Sequence, residues 1–360
     1  MVLHKLSRLL AVILCVTFIA STIAMPLAHA SVKDEIEMGK KVGKALENEY
    51  KLVEDAAVQE RVERLGRPLA AVSDRPELPY TFKVLNVNEV NALSLPGGPV
   101  YIFKGLADYM SDDELAGVIG HEIGHIVKRH SIKQMEKSMG MTLLMAILLG
   151  DRGLPLQSVI QQAIMARHSR EDEEEADYQG YWLTLKAGYN PYSMLMGMQR
   201  LSEVHDGPDF GMFASHPEPQ VRIKRLKSYI QKSNIHPQVV NDGKVVRLVD
   251  GNWNFSSFDT LMSGRNPEAC AYDLAGALYR VAQKLEVRPD WFVLDMDGDN
   301  VRIYYDDVVV LTITAQQAAI AGTTATELAN SFVPKFQEWA VQQSQLKSKS
   351  IDEQQKETVK

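Results

Sequence analysis

The mature chain opens with apolar residues at three- to four-residue spacing. Ile36, Val42, Leu46, Tyr50 and Val53 recur in that way, and Val58, Val62, Leu65 and Leu69 continue after a break, which predicts helix from Asp34 to about Ser73. Pro76 and Pro79 mark a loop. Tyr80 to Val87 then alternates as a strand does, Asn91 to Leu95 reads as a second extended piece, Pro96-Gly97-Gly98-Pro99 is a turn, and Val100 to Phe103 is a third strand. Ser111-Asp112-Asp113-Glu114 is a capping box, because Ser111 can accept from a free N–H of the first turn while Glu114 reaches back. It predicts a helix to about Met139. Met141 to Leu149 is apolar but too short to cross a bilayer, so a buried or interfacial helix is expected there. After Gly153 to Pro155, helix resumes to about Lys186 and stops at Gly188 and Asn190-Pro191. Helix from Tyr192 to Val204, a loop from Gly207 to Pro219 and a short basic helix from Val221 to Ile230 complete this half.

The pattern changes near His236. Val245 to Val249 reads as a strand, Ala269 to Leu285 as an amphipathic helix, Trp291 to Asp295 and Val301 to Thr314 as strands joined by the Gly298-Asp299-Asn300 turn, and Thr324 to Gln342 as a last helix. Ser344 to Lys360 is polar and charged, and is expected to fray. The reading is an α+β protein. A mainly helical domain with a small antiparallel edge sheet covers 31–235, a small α+β domain covers 236–343, and a disordered tail covers 344–360. No internal repeat is seen.

Residues 1–30 read as a secretory signal peptide. Lys5 and Arg8 precede the apolar run from Leu9 to Ala24, and Ala28-His29-Ala30 supplies small residues for cleavage after Ala30. Export to the periplasm, with no transmembrane helix left after cleavage, is the expectation. The whole chain carries a net charge of -7, and loss of Lys5 and Arg8 takes it to -9. That balance argues against a nucleic-acid partner, whose phosphates want a basic surface. Cys15 leaves with the leader. Cys270 then stands alone, so no internal disulfide forms, and its apolar surroundings suit a buried thiol.

The chemistry sits in His121-Glu122-Ile123-Gly124-His125. Residues four apart share a helix face, so His121 and His125 can turn ring nitrogens to one ion, and imidazole suits zinc. Glu122 lies beside the first ligand, placed to act as general base toward water activated by the metal. Gly124 permits close backbone approach. A third ligand is required. The position six after His125 is Ser131, and His130 lies on the wrong side of the helix to join, so the acidic run Glu171-Asp172-Glu173-Glu174-Glu175 is the alternative source. Read by itself, such a run is usually a solvated face.

These motifs, with Ser169-Arg170 and Ala176-Asp177 flanking the acidic run, resemble the HtpX and CAAX-prenyl-protease family of zinc metallopeptidases, and in particular its soluble periplasmic members. The resemblance covers roughly 34–230. It implies a zincin-like fold, one zinc ion per chain, and Glu173 as third ligand, with Glu174 as the alternative by spacing. Asp177, four residues on, would orient a ligand histidine through its other ring nitrogen. Asn91, Ala92 and Leu93 resemble the edge segment along which a substrate adds as an extended strand. Ser215-His216-Pro217, followed by Arg222, resembles the family's His-Pro loop. His216 there would either stabilise the oxyanion or sit on the zinc as a self-inhibiting fourth ligand; a surface histidine in a proline-rich loop is the plain alternative.

Asp295-Met296-Asp297-Gly298-Asp299-Asn300 lacks the glycine a calcium loop needs at its sixth position and reads as a tight hairpin. Met135, Met139, Met141 and Met145 read as core filling. The resemblance implies an endopeptidase acting on unfolded or misfolded cell-envelope proteins, with envelope assembly machinery as a candidate partner. The alternative is a chaperone-like assembly factor whose zinc site is latent and occluded by His216. A merely structural metal would leave Glu122 without a task.

Overall fold

The computed structural model describes residues 31–134, 167–203, 212–216, 218–259 and 266–358. The expected signal peptide, the apolar run Met141 to Leu149, the break at Gly153 to Pro155 and the methionines from Met135 to Met145 lie outside the described residues.

The elements run α1 (Val32–Tyr50), α2 (Ala56–Ala71), β1 (Thr81–Leu85), β2 (Ala92–Ser94), β3 (Pro99–Phe103), α3 (Lys104–Tyr109), α4 (Asp112–Lys128), α5 (Arg170–Lys186), α6 (Ser193–Ser202), α7 (Met212–Ser215) and α8 (Pro219–Lys232). They continue with β4 (Gln238–Asn241), β5 (Val246–Asp250), β6 (Trp253–Phe255), α9 (Pro267–Ala282), β7 (Phe292–Asp297), β8 (Asn300–Tyr305), β9 (Val308–Ile313), α10 (Ala315–Ile320) and α11 (Ala325–Thr358).

Helices α1, α4 and α5 start in the same way. Ser31 with Asp34, Ser111 with Glu114, and Ser169 with Asp172 form reciprocal caps that satisfy free N–H groups and place acids at the positive end of the helix. Helix α4 is the spine of the molecule, buried from Glu114 to Ile126. Its small residues set how near its neighbours come. A Cβ on Gly124 would stand 2.8 Å from the Ala176 carbonyl oxygen of α5, and one on Gly117 would stand 2.4 Å from the Ser193 carbonyl oxygen of α6. The helix carrying the histidines therefore lies almost backbone to backbone on the helix carrying the acidic run.

The first sheet has the order β1-β3-β2. The edge pair β2–β3 is antiparallel, with Ala92 opposite Ile102 and Leu93 opposite Tyr101. The inner pair β1–β3 is parallel, so the sheet is mixed rather than wholly antiparallel. The reason is the direct return of the chain: β2 runs out along the edge, Gly97 and Gly98 reverse it at φ 76° and 126°, and β3 inserts between β2 and β1.

Three other expectations are corrected. The helix through the HExxH motif is interrupted after Lys128, because Arg129 takes a left-handed conformation at φ 62° and its N–H caps the carbonyls of His125 and Ile126; helix resumes over 130–134, and the rest of the expected run to Met139 lies outside the described residues. The stretch Val301 to Thr314 is two strands, β8 and β9, folded back at Asp306, whose φ of 54° a short acidic side chain tolerates. The terminal segment expected to fray instead continues α11 to Thr358; its residues from Ser344 on include no proline or glycine and many good helix formers. No helix among the described residues is long and apolar enough to cross a membrane.

Packing crosses the expected boundary near His236. One apolar core joins Tyr192, Met194, Leu195 and Leu226 of the first half to Trp253, Tyr272, Phe336 and Trp339 of the second. Tyr192 stacks on Tyr272 at 4.9 Å between centroids, its hydroxyl donates to the Pro237 carbonyl at 2.8 Å, and Asn190 Nδ2 donates to the Tyr272 carbonyl at 3.2 Å. Arg280 Nη1 lies 3.3 Å from Asp113 Oδ2 at the start of α4. Cutting the chain after Ile235 exposes these side chains, each worth about 1.5–3 kcal/mol of burial, so several together rival a net stability of roughly 5–15 kcal/mol. The expected result is a fragment with no cooperative thermal transition by circular dichroism; a sharp transition near that of the whole protein would contradict it.

Candidate metal centre

The centre forms where α4, α5, the short α7 and α8 meet. Helix α4 contributes His121, Glu122 and His125 from successive turns; α5 contributes Glu173 and Asp177, four residues apart on one face; the turn after α7 contributes His216; α8 contributes Arg222. All seven side chains are at most 2% exposed. Glu174, the alternative third ligand, points away and pairs with Arg225 at 3.1 Å with over half of its side chain exposed.

Each of His121, His125, Glu173 and His216 offers one donor atom such that the four lie within 4.8 Å of one another. His121 Nε2 is 3.0 Å from His125 Nε2 and 3.2 Å from His216 Nδ1. Glu173 Oε1 is 3.4 Å from His125 Nε2 and 2.9 Å from His216 Nδ1, and Oε2 is 3.5 Å from His121 Nε2. Four N and O donors about 2.0–2.1 Å from a tetrahedral zinc ion stand about 3.3 Å apart along each edge, so this set fits such an ion with small adjustments. Glu122 is outside the set. Its Oε1 is buried, accepts no hydrogen bond, and lies 3.6 Å from His216 Nε2.

Both paired histidines are held from behind. His121 Nδ1 faces Asp177 Oδ1 at 3.1 Å. Asp177 in turn accepts from Arg222 Nε at 2.9 Å and Nη2 at 2.6 Å, and Arg222 Nη1 stands 2.7 Å from Glu173 Oε2. One guanidinium therefore bridges the candidate ligand and the carboxylate behind the other. His125 Nδ1 lies 2.8 Å from His130 Nδ1, and His130 Nε2 lies 3.1 Å from Glu175 Oε2. His168 stacks on His125 at 3.9 Å between centroids, and its backbone N–H donates to the Ser215 carbonyl at 3.1 Å, tying the start of α5 to the His216 segment.

Burial and neighbouring charges together set the protonation of the centre. It lowers His121, with Arg222 acting in the same sense, and lowers His125 to about 4, helped by its neighbour His121. Both rings are thus neutral near pH 7, as a metal ligand must be. Burial would raise the acids, but Arg222 and the adjacent imidazoles outweigh it, holding Glu173 well below the carboxylate range and Asp177 at about 2. For His216, burial is outweighed in the other direction, and Glu173 and Glu122 raise it.

The structure thus gathers His121, Glu122, His125, Glu173, Asp177 and His216 in one buried cluster. Asn91, Ala92 and Leu93 lie at the free edge of the first sheet, beside α4. Two outward groups of β2 are held by side chains and not by a strand: Ala92 N–H donates to Asn91 Oδ1 at 2.9 Å, and the Ser94 carbonyl accepts from Ser131 Oγ at 3.2 Å. The sequence reading missed three residues. His130 was excluded because a continuous helix would aim it elsewhere; the left-handed Arg129 swings it back. His168 had no signal besides its place before the Ser169 cap. Arg222 enters the sequence reading only as part of the resemblance to the His-Pro loop, with no role of its own.

Residues 56–230 match peptidase family M48, and residues 238–343 match a domain of unknown function, DUF8459. The chain is 30% identical over 159 residues to metalloprotease YcaL of Escherichia coli strain K12, which is 42% of this chain and 63% of that protein. It is 26% identical over 164 residues to metalloprotease LoiP of the same strain, 44% of this chain and 65% of that protein. A beta-barrel assembly-enhancing protease of Yersinia pestis is 26% identical over 228 residues, 58% of this chain and 46% of that protein. The chain therefore spans less than two thirds of each of these relatives.

Proposed function

Because residues 56–230 match peptidase family M48, we propose that the protein is a zinc-dependent endopeptidase that cuts extended segments of unfolded or misfolded cell-envelope proteins in the periplasm. The observation that carries this is the buried donor set His121, His125, Glu173 and His216 with Glu122 Oε1, which accepts no hydrogen bond, against it. His121, His125 and Glu173 would hold the zinc. Bound there, zinc supplies a Lewis acid that acidifies water and polarises a carbonyl. Glu122 accepts the proton from water as it attacks the peptide carbonyl, then passes it to the departing amide nitrogen. Asp177, fixed by Arg222, keeps His121 in the tautomer whose Nε2 is free for the metal. A substrate segment adds beside β2, replacing the side-chain partners of Ala92 and Ser94 with main-chain hydrogen bonds. Such pairing reads backbone and not side-chain identity, which suits unfolded clients. The name of the Yersinia relative, a beta-barrel assembly-enhancing protease, supports a role beside envelope assembly machinery.

A second reading has a specific observation in its favour. With a tetrahedral ion held by His121, His125 and Glu173, His216 Nδ1 would take the fourth corner, the position an active site keeps for water. In this conformation the centre is closed, as in a latent enzyme or an assembly factor that rarely cuts. Proteolysis of reduced casein by purified protein tests the function, and His216→Ala separates the readings. Release of the fourth corner should raise basal cleavage. If His216 instead stabilises the oxyanion, the variant loses about 10²–10³ in kcat.

A further inference from the structure

We propose that Glu35 is a positioning residue for the metal centre, acting through the left-handed turn at Arg129 that presents His130 to His125. Glu35 lies on α1, outside the stretch that matches the M48 family, and is 1% exposed. Its Oε1 is 2.7 Å from Arg129 Nε, and its Oε2 is 3.0 Å from Arg75 Nη1. The same Arg75 nitrogen donates to the Ile126 carbonyl at 3.1 Å, in the last turn of α4. One buried carboxylate thus holds both the end of the metal helix and the residue at which the chain turns after it.

That turn matters because His130 follows it directly. A non-glycine residue at φ 62° is strained and persists only where its surroundings impose it. The Glu35–Arg129 pair supplies that imposition. The turn then sets His130 Nδ1 2.8 Å from His125 Nδ1, fixing the ring whose Nε2 faces the metal position. Glu35 is itself immobilised. A Cβ on Gly97 would stand 2.5 Å from Ile36 Cα, and one on Gly39 would stand 2.0 Å from the Pro96 carbonyl oxygen, so α1 cannot slide on the sheet. Burying a carboxylate between two guanidiniums is a poor source of stability but a good way to fix one arrangement.

The inference rests on the zinc reading above. The test is zinc affinity of the full-length mature protein, measured by competition with a chromophoric chelator, for wild type, Glu35→Gln, His130→Ala and the double variant. Partners behind a ligand histidine are typically worth 10–100-fold in affinity, so His130→Ala should fall in that range and Glu35→Gln should weaken binding about tenfold. The double variant should bind no more than about twofold more weakly than His130→Ala, because the two changes break one chain of contacts. Circular dichroism of the metal-free proteins checks folding. If Glu35→Gln does not fold, Arg129→Ala takes its place with the same expectation, since alanine removes the pair and does not favour the left-handed turn without it. Wild-type affinity in Glu35→Gln, or a full tenfold cost persisting in the His130→Ala background, overturns the proposal. A wild type that binds no zinc overturns the metallopeptidase reading and this one together, and is recognisable from that protein alone.

Discussion

Glu122→Gln should leave one zinc per chain and reduce peptide hydrolysis about 10²–10⁴-fold, the range for a lost general base. The amide keeps the shape of the carboxylate and cannot accept the proton of the attacking water. None of the four donors is touched, since Glu122 contacts the cluster only through the 3.6 Å approach to His216 Nε2. Metal analysis and single-turnover cleavage of an unfolded protein check both halves. Retained zinc with unchanged kcat/KM would remove Glu122 from the reaction. Lost zinc would mean that Glu122 holds the metal, which the geometry does not support.

Arg222→Met should be the most damaging single change to the fold. The side chain is 2% exposed and stands between Asp177 and Glu173, themselves 0% and 2% exposed. Methionine fills much of the volume but leaves two buried carboxylates without their cation, a loss of about 3–5 kcal/mol. The pH dependence follows. Asp177 is held at about 2 against an ordinary 3.8, so its contribution is present above pH 3.8 and is lost as pH falls toward 2. Glu173 is lowered as well and acts in the same sense. The variant should therefore be less stable in urea near pH 7, and its stability should fall less steeply than wild type on acidification. A loss under about 1 kcal/mol would show that Asp177 and Glu173 find other partners.

Local signals carried much of this structure. The reciprocal cap at Ser111 and Glu114 marked the start of α4, the Gly298 turn marked the β7–β8 hairpin, and the HExxH spacing marked one face of a helix. What failed was geometry beyond the reach of periodicity. The left-handed conformation of Arg129 leaves no trace in the apolar pattern, so His130 was aimed away from the site it serves. The reversal at Asp306 divides a run of β-branched residues that reads as one strand. The depth of the acidic run was also invisible: Glu173 and Asp177 are buried while Glu174 and Glu175 beside them are exposed, because only one face of α5 meets the small residues of α4. Likewise the composition change near His236 is real, yet Tyr192 and Tyr272 pack across it as one core.

The most direct test of the central claim is cleavage of reduced casein by the purified protein before and after removal of its metal. The account predicts that wild type, or His216→Ala if wild type is latent, cuts casein, stops when a chelator strips the zinc, and recovers with one equivalent of zinc per chain. Casein left intact by both zinc-loaded proteins, or cut equally well without metal, would contradict it.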